Sequence, residues 1–347
     1  MLLLVKIRPQ TLYRPNPQME NTGMNKLLTA TLLLTAANVV QAATLTLNPS
    51  VTEVNVGETL TFSGRIDGIG PVNVALVMDE SGSVDSTEFN QQLDYARGIV
   101  DELPLSTSEA MTALSLHTSG SRIVMGWTAL NSVMTNAFNS ISKIGGNSCV
   151  SCGLRSAGTL LGLSTRTAPG VGEIVLLFTD SAPGNVFTSD YQPSYTALHS
   201  AGAVVLGIAL PDINSLAELE NATNPPAGFN LPDSYSLAAG IAGPLDAIFA
   251  LAGYSVVEYS VLSGGNLITG TAAVGPDGSF TLPPIIAQAG DNSLSLMATN
   301  YFGNNIGNGA VVFASPVPLP PSLLSMATAT LILAGRRHLR LNATENN

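Results

Sequence analysis

The hydrophobic and polar positions of this chain follow three patterns in succession. Between residues 43 and 67, apolar and polar residues alternate and turn residues lie close together, which predicts two or three short antiparallel strands. From Val72 onward, unbroken apolar runs alternate with segments of helical periodicity. After Tyr254 the two-residue alternation returns, with a strong turn signal at Pro276-Asp277-Gly278. The chain is therefore predicted to be β, then α/β, then β.

Two apolar runs of the middle region each end at an aspartate. Val74–Met78 is followed by Asp79, and residues 173–179 are followed by Asp180. Runs that are apolar at every position and rich in Val are typical of parallel strands buried on both faces. Helices are predicted from Asp85-Ser86 and over 131–141, 152–163, 194–201, near Leu216 and over 245–251, and further strands over 111–116, 122–127 and 203–209. This alternation predicts an α/β fold with a doubly wound, mostly parallel sheet.

The two β regions predict a domain that the α/β region interrupts. Residues 43–70 and 254–315 would be the two parts of a small Ig-like β-sandwich, and residues 71–253 would be inserted between them. Insertion is physically easy when the termini of a domain lie close together. The alternative is two separate β pieces that flank the α/β domain, but 25 residues at the front provide too few strands for a stable sheet alone.

The N-terminal region predicts a secretory signal peptide over residues 24–42. Met24 is followed by a basic start at Lys26, an apolar region to Val40 and a small residue at Ala42, where cleavage is expected. We interpret residues 1–23 as an extension that precedes the true start of translation. An N-terminal membrane anchor is the alternative, although the apolar run is shorter than the roughly 20 residues of a spanning helix.

Residues 316–347 contain three parts in a fixed order. Val317–Ser322 is rich in proline, Leu323–Ala334 is apolar, and an arginine cluster occupies 336–340. This arrangement resembles the PEP-CTERM sorting signal, although the family's Pro-Glu-Pro core lacks its Glu here. The resemblance implies a transient membrane anchor through a C-terminal transmembrane helix, an exosortase as a partner, and a Gram-negative, exopolysaccharide-producing host. It places the protein at the cell surface, at the outer membrane or in the extracellular matrix. A plain tail anchor is the alternative.

Composition excludes several classes of function. Residues 43–315 carry 6 basic and 22 acidic side chains, a net charge of −16, which would repel nucleic acid and would favour divalent cations. The chain has three histidines (His117, His199 and His338), too few for a histidine-based zinc hydrolase or a Ser-His-Asp triad, and there is no glycine-rich phosphate loop with its lysine. We therefore expect that the protein is not an enzyme.

The two cysteines, Cys149 and Cys152, form a C-x-x-C pair. In an exported chain such a pair favours a local disulfide over half a zinc site, because two further ligands are missing. A thiol-redox role is the alternative, but the thioredoxin-like setting that it needs is not apparent.

Oxygen-bearing side chains follow the two buried strands. Asp79-x-Ser81-x-Ser83 comes after the first strand and Asp180 after the later one, and a Gly-Gly-Asn-Ser loop that ends at Ser148 lies between them in the sequence. Open α/β sheets place their ligand sites at the carboxyl ends of the strands. This pattern, over about 72–253, resembles the von Willebrand factor A family with its metal-ion-dependent adhesion site (MIDAS).

The resemblance implies five metal ligands: Asp79, Ser81, Ser83, Ser148 and Asp180. Between the D-x-S-x-S motif and the later Asp, the family has a Thr ligand on a loop that precedes a helix. We assign Ser148 to this middle position, and Ser151 is the alternative. Helix caps and turn residues would also account for the pattern. The cofactor implied is Mg²⁺, or else Mn²⁺ or Ca²⁺, because these ions take hard oxygen ligands.

The expected function follows from the ligand types. Neutral hydroxyls leave the ion under-neutralised, so a carboxylate from a protein or an acidic polysaccharide could take an exchangeable position. We therefore expect an exported adhesion or ligand-binding protein that depends on a divalent cation. We expect it at the cell surface or in a biofilm matrix. The alternative is a structural envelope or matrix protein in which the ion only stabilises the fold.

Overall fold

The computed structural model describes residues 43–48, 55–164, 170–180, 191–211 and 234–315, together with residues 213, 219, 223, 229 and 231. These residues all fall within one compact unit. The predicted extension 1–23, the signal peptide 24–42, the sorting signal 316–347 and the helix near Leu216 lie outside the described residues.

The described residues form fifteen strands and five α-helices in chain order. The strands are β1 (Thr44–Asn48), β2 (Thr59–Leu60), β3 (Ser63–Asp67), β4 (Val72–Asp79), β5 (Ala110–His117), β6 (Ser121–Thr128), β7 (Gly172–Thr179), β8 (Val204–Ala209), β9 (Ser234–Ser236), β10 (Val256–Ser263), β11 (Asn266–Ala273), β12 (Ser279–Thr281), β13 (Ile285–Ile286), β14 (Gly290–Thr299) and β15 (Asn305–Ser315). The helices are α1 (Ser86–Glu102), α2 (Asn131–Ser140), α3 (Val150–Gly162), α4 (Tyr191–Ser200) and α5 (Ala242–Ala252).

Six strands form one sheet in the order β6-β5-β4-β7-β8-β9. Five of them run parallel, and only β6 at the edge is antiparallel to its neighbour β5. The predicted α/β fold with a mostly parallel sheet is thereby confirmed. The short strand β9 was not predicted, because three residues are too few to give a periodic pattern.

Helices cover both faces of this sheet, as alternate residues of β4 show. Val74, Leu76 and Met78 pack into the core with α1, α2 and α5, whereas Ala75 and Val77 pack with α3 and α4 on the opposite face. All eight residues of β4 are buried, which explains why its sequence is apolar at almost every position. In the part of the chain that the structure describes, no helix is both long and apolar enough to cross a membrane.

The start of α1 shows how the sequence fixes an element next to the end of β4. The Asp85 side chain accepts hydrogen bonds from the N–H groups of Thr87 and Glu88, at 2.6 and 2.9 Å. The Glu88 side chain accepts the N–H of Asp85 in return at 2.8 Å, which completes a capping box. The helix therefore begins at Ser86, as the Asp85-Ser86 pair predicts.

The remaining strands form antiparallel sheets that combine both flanks of the α/β region. β3 pairs with β1 and β12, β2 pairs with β13, and β11, β10, β14 and β15 form a four-stranded sheet. Phe62 and Ile66 from the first flank share one hydrophobic core with Val261, Phe280 and Leu294 from the second. The Ig-like class and the predicted domain boundaries stay predictions.

Candidate functional site

The centre of the candidate site is the carboxylate of Asp79, where β4 ends. β4 and β7 are parallel neighbours with Val77 beside Leu177, so Asp79 lies next to Thr179 at the carboxyl edge of the sheet. Thr179 Oγ1 donates a hydrogen bond to Asp79 Oδ2 at 3.0 Å. Asp180 follows directly and is 4% exposed, while Asp79 is fully buried. The two predicted carboxylates therefore come from adjacent strands of the same sheet edge.

The turn after β4 gathers two hydroxyls close to this carboxylate. The Ser81 N–H donates to Asp79 Oδ1 at 2.8 Å, which folds the turn back over the strand end. Ser81 Oγ and Ser83 Oγ lie 3.0 Å apart. Ser81 is fully buried and Ser83 is exposed, so the pair leads from the protein interior to the solvent.

A second loop, which precedes α3, supplies another hydroxyl. Ser148 Oγ donates to Asp79 Oδ2 at 3.2 Å. This loop is attached to the turn after β4 by backbone hydrogen bonds from Gly82 N to Gly146 O at 2.6 Å and from Gly145 N to Glu80 O at 3.1 Å. The site therefore combines segments about 65 residues apart in the sequence.

The two candidates for the middle hydroxyl occupy different places. Ser148 contacts Asp79, whereas Ser151 lies in the first turn of α3, 3% exposed, with its Oγ 3.4 Å from Cys149 Sγ. Of these two hydroxyls the structure thus brings Ser148 to the carboxylate. The assignment of either as a metal ligand remains a proposal.

Cys149 and Cys152 lie immediately after Ser148 at the start of α3. Their sulfurs are joined in a disulfide, and the N–H of Cys152 also donates to Cys149 Sγ at 3.2 Å. Cys149 is the N-cap residue of α3. The disulfide is therefore part of the turn that presents Ser148.

Sequence reasoning missed His117, which lies fully buried beside Asp79 at the end of β5. His117 Nε2 is 3.1 Å from the carbonyl oxygen of Phe178, and because a carbonyl only accepts, Nε2 carries a proton. His117 Nδ1 faces Asp79 Oδ1 at 4.0 Å, with no hydrogen-bond partner among the described residues. The available signal was the position of His117, since it ends the strand that pairs with β4, opposite Asp79.

Three other supporting residues were also missed. The Gln92 side chain on α1 accepts the Asp79 N–H at 3.2 Å and donates to the Asp79 carbonyl, so it fixes the backbone of the strand end. Glu80 is 1% exposed and receives two hydrogen bonds from Arg122, at 3.0 and 2.9 Å. The hydrogen bonds to Glu80 raise the pKa of the Arg122 guanidinium above its ordinary value. These contacts hold the turn without occupying the oxygens of Ser81 and Ser83.

The donor set fits a divalent cation with hard oxygen ligands. Adjacent oxygens around an octahedral Mg²⁺ at about 2.1 Å lie roughly 3.0 Å apart. The Ser81–Ser83 and Ser148–Asp79 oxygen pairs are 3.0 and 3.2 Å apart, close to that spacing. Across the described ranges, no three His, Cys, Asp or Glu side chains cluster so that they could hold a metal ion, so a cation here would need the serine hydroxyls.

Solved structures with a similar backbone come from distant proteins. Proximal thread matrix protein 1 from the mussel byssus has a TM-score of 0.46 and 14% identity, with 55% of this chain and 50% of that chain covered. The chain thus spans half the length of that protein. A von Willebrand factor type A protein from Catenulispora acidiphila has a TM-score of 0.43 and 14% identity, with 79% of this chain and 74% of that chain covered. The manganese-loaded TRAP protein of Plasmodium vivax has a TM-score of 0.44 and 13% identity, with 75% of this chain and 100% of that chain covered.

No curated protein gives a significant match to the chain. The family model of the von Willebrand factor type A domain matches residues 73–239. The match begins in β4, includes Asp79, Ser81, Ser83, Ser148 and Asp180, and ends within the residues between β9 and α5. Residues 73–239 of this chain therefore form a von Willebrand factor type A domain.

Proposed function

We propose that the protein binds a divalent cation at Asp79 and uses the bound ion to hold a ligand carboxylate. The observation that carries this proposal is that the Ser148 hydroxyl and the N–H of Ser81 both donate to the one buried carboxylate of Asp79, while the Ser81 and Ser83 hydroxyls pair on the turn that follows it and Asp180 follows the neighbouring strand. Packed strand ends and hydrogen bonds preorganise these groups, and preorganised oxygens bind hard cations.

The charge balance of the donors favours an external acidic ligand. Three of the five proposed ligands are neutral hydroxyls, and the carboxylate of Asp79 shares its charge with three hydrogen-bond donors, the Ser81 N–H and the hydroxyls of Ser148 and Thr179, so the ion would keep part of its positive charge. Ser83 is exposed, which supports access to the ion from solvent. A carboxylate from a protein or an acidic polysaccharide would then complete the coordination of Mg²⁺, Mn²⁺ or Ca²⁺.

The cellular setting is part of the same proposal. The predicted signal peptide 24–42 and the PEP-CTERM-like segment 316–347 support export, processing by an exosortase and a final location at the surface or in the matrix of a Gram-negative bacterium. In that setting an Ig-like β domain, composed of residues 43–70 and 254–315, would act as a spacer for the ligand-binding domain. Adhesion is thus the proposed role.

Calorimetric titration of Mg²⁺ and Mn²⁺ into the full chain tests the ion site. We expect saturable one-to-one binding that is lost in Asp79→Ala. The matched control is Asp94→Ala, which removes an exposed carboxylate on α1 whose only described ion pair is with Arg97. The site would be refuted by an Asp79→Ala chain that binds the ions as well as the control does.

Retention on an immobilised polyuronate, with Mg²⁺ or with EDTA, then tests ligand binding. Retention that needs Mg²⁺ and is lost in Asp79→Ala would support adhesion through the ion. If Mg²⁺ raises the melting temperature while retention is the same in EDTA, the ion only stabilises the fold, as the structural alternative holds.

A further inference from the structure

The disulfide of the site lies next to the hydroxyl that contacts Asp79. Ser148 Oγ donates to Asp79 Oδ2 at 3.2 Å, and the residue that follows, Cys149, is bonded to Cys152 one turn further along the chain. We propose that this disulfide is a positioning element of the cation site: it holds the Ser148 hydroxyl on Asp79, and its reduction weakens cation binding. This inference rests on the proposed function.

Ser148 lies between two well-fixed points of the chain. On one side, the Asn147 N–H donates to Ser119 Oγ at 2.9 Å. On the other side, Val150 is fully buried in the core between the sheet and α3. Ser148 and Cys149 are the two residues between these points, and both are half-buried. The direction of the Ser148 side chain therefore depends on the conformation of Cys149.

The chain before Ser148 is held by hydrogen bonds to neighbouring segments rather than by its own backbone preferences. Gly145 and Gly146 have φ values of 79° and 121°, which glycine adopts at little cost. Gly146 also packs so closely that an added Cβ would lie 2.6 Å from Thr118 Oγ1. Glycine is thus required there, and it leaves the loop dependent on contacts for its order.

The chain after Ser148 is restricted through the disulfide. Cys149 caps α3, and Cys152, at 8% exposure, is fixed in the first turn, where Arg155 Nη2 lies 3.3 Å from its sulfur. The covalent bond therefore ties the cap residue to a buried helical turn. Without the bond, Cys149 gains rotamer freedom and Ser148 spends less time on Asp79.

A dithiol can reduce the Cys149–Cys152 disulfide by thiol–disulfide exchange. The S–S bond breaks, two electrons and two protons from a dithiol give two thiols, and the dithiol closes into a cyclic disulfide. Cys149 is half-buried whereas Cys152 is buried, so Cys149 is the more exposed residue of the pair. Because coupling between two equilibria is reciprocal, a bound cation must lower the equilibrium constant of disulfide reduction by the same factor by which reduction lowers the cation affinity.

The test compares Mn²⁺ affinity of the full chain in three states: oxidised, reduced by a dithiol that is then removed under argon, and reoxidised. Loss of supporting contacts around metal ligands typically costs 10–100-fold in affinity, so we expect the Kd to rise about tenfold on reduction and to return on reoxidation. Circular dichroism checks that the reduced chain is folded. If it is not, Cys149→Ser/Cys152→Ser replaces it.

Ser148→Ala is the decisive control. It should bind Mn²⁺ more weakly than wild type in the oxidised state and should show no further loss on reduction, because the disulfide acts through the missing hydroxyl. In a dithiol redox buffer, Mn²⁺ should shift the disulfide equilibrium of the wild type about tenfold and leave that of Ser148→Ala unchanged.

The possible failures are distinguishable. Equal Mn²⁺ affinity of the oxidised and reduced wild type would overturn this inference and leave the proposed function intact. If reduction lowers the Mn²⁺ affinity of Ser148→Ala as much as that of the wild type, the inference is also overturned, because the disulfide would then act by a route other than the Ser148 hydroxyl. If the oxidised wild type binds no cation, both the proposed function and this inference fall.

Discussion

Arg122 on the edge strand β6 forms a two-point ion pair with Glu80, which lies next to the candidate ligand Asp79. Its Nε and Nη2 atoms donate to the two carboxylate oxygens at 3.0 and 2.9 Å, and Nη2 also donates to the Ser142 carbonyl at 3.1 Å. Glu80 is 1% exposed, so this ion pair neutralises a carboxylate in the protein interior. It also attaches the turn after β4 to the edge of the sheet.

We expect Arg122→Met to destabilise the fold by about 3 kcal/mol, because it leaves the Glu80 carboxylate buried without its partner. The measurement is chemical denaturation at neutral pH. The double variant Glu80→Gln/Arg122→Met should recover most of the loss, since no charge remains buried. A single variant as stable as the wild type would show that water, rather than Arg122, satisfies Glu80.

Thr179 supports the proposed ligand Asp79 directly, because its hydroxyl donates a hydrogen bond to Asp79 Oδ2 at 3.0 Å at the carboxyl edge of the sheet. Thr179→Val keeps the shape and removes this donor. Loss of a contact that orients a metal ligand typically costs 10–100-fold in affinity, so Mn²⁺ affinity should fall roughly tenfold or more. Thr159→Val, on the exposed face of α3, is the matched control and should leave the affinity unchanged. Equal affinities of the two variants would contradict this role for Thr179.

The main features of the fold could be predicted from the sequence, because each depends on local pattern. β4 and β7 are apolar at nearly every position since both faces are covered, and Asp85 with Glu88 caps α1 within four residues. The class of the central domain followed from these elements and from the motif at Asp79.

The supporting residues of the site could not be predicted in the same way. His117, Gln92 and Arg122 reach the turn from three different elements, and only the register of β5 beside β4 and the packing of α1 bring them together. Nothing in the local sequence of Gln92 or Arg122 marks these contacts, and the place of His117 at a strand end becomes informative only with that register. The choice between Ser148 and Ser151 likewise depends on where α3 begins, and helix boundaries are the least certain feature of a sequence-based prediction.

The Mn²⁺ affinities of two alanine variants distinguish Ser148 from Ser151 as the middle hydroxyl ligand. Ser148→Ala should weaken Mn²⁺ binding by tenfold or more, since it removes a proposed ligand that lies on Asp79. Ser151→Ala removes a hydroxyl that contacts Cys149 Sγ and should change the affinity less than twofold. Calorimetry on both variants checks this. A greater loss in Ser151→Ala would assign the middle hydroxyl to Ser151.

Stability should depend on pH through Glu173, near the start of β7 and far from the site along that strand. Burial raises the pKa of this carboxyl above its ordinary value of 4.5, so the folded protein binds the proton more tightly than the unfolded chain does. The resulting stabilisation is fully present below pH 4.5 and is lost as the pH rises through the folded-state pKa.

Glu173→Gln should therefore be more stable than the wild type at pH 7, and the difference should vanish below the ordinary pKa of 4.5. Urea denaturation at a series of pH values measures it. Glu102→Gln, which removes an exposed carboxylate at the end of α1, controls for the change in net charge. If the two variants gain the same stability at pH 7, general charge repulsion in this acidic chain, rather than the burial of Glu173, is the cause.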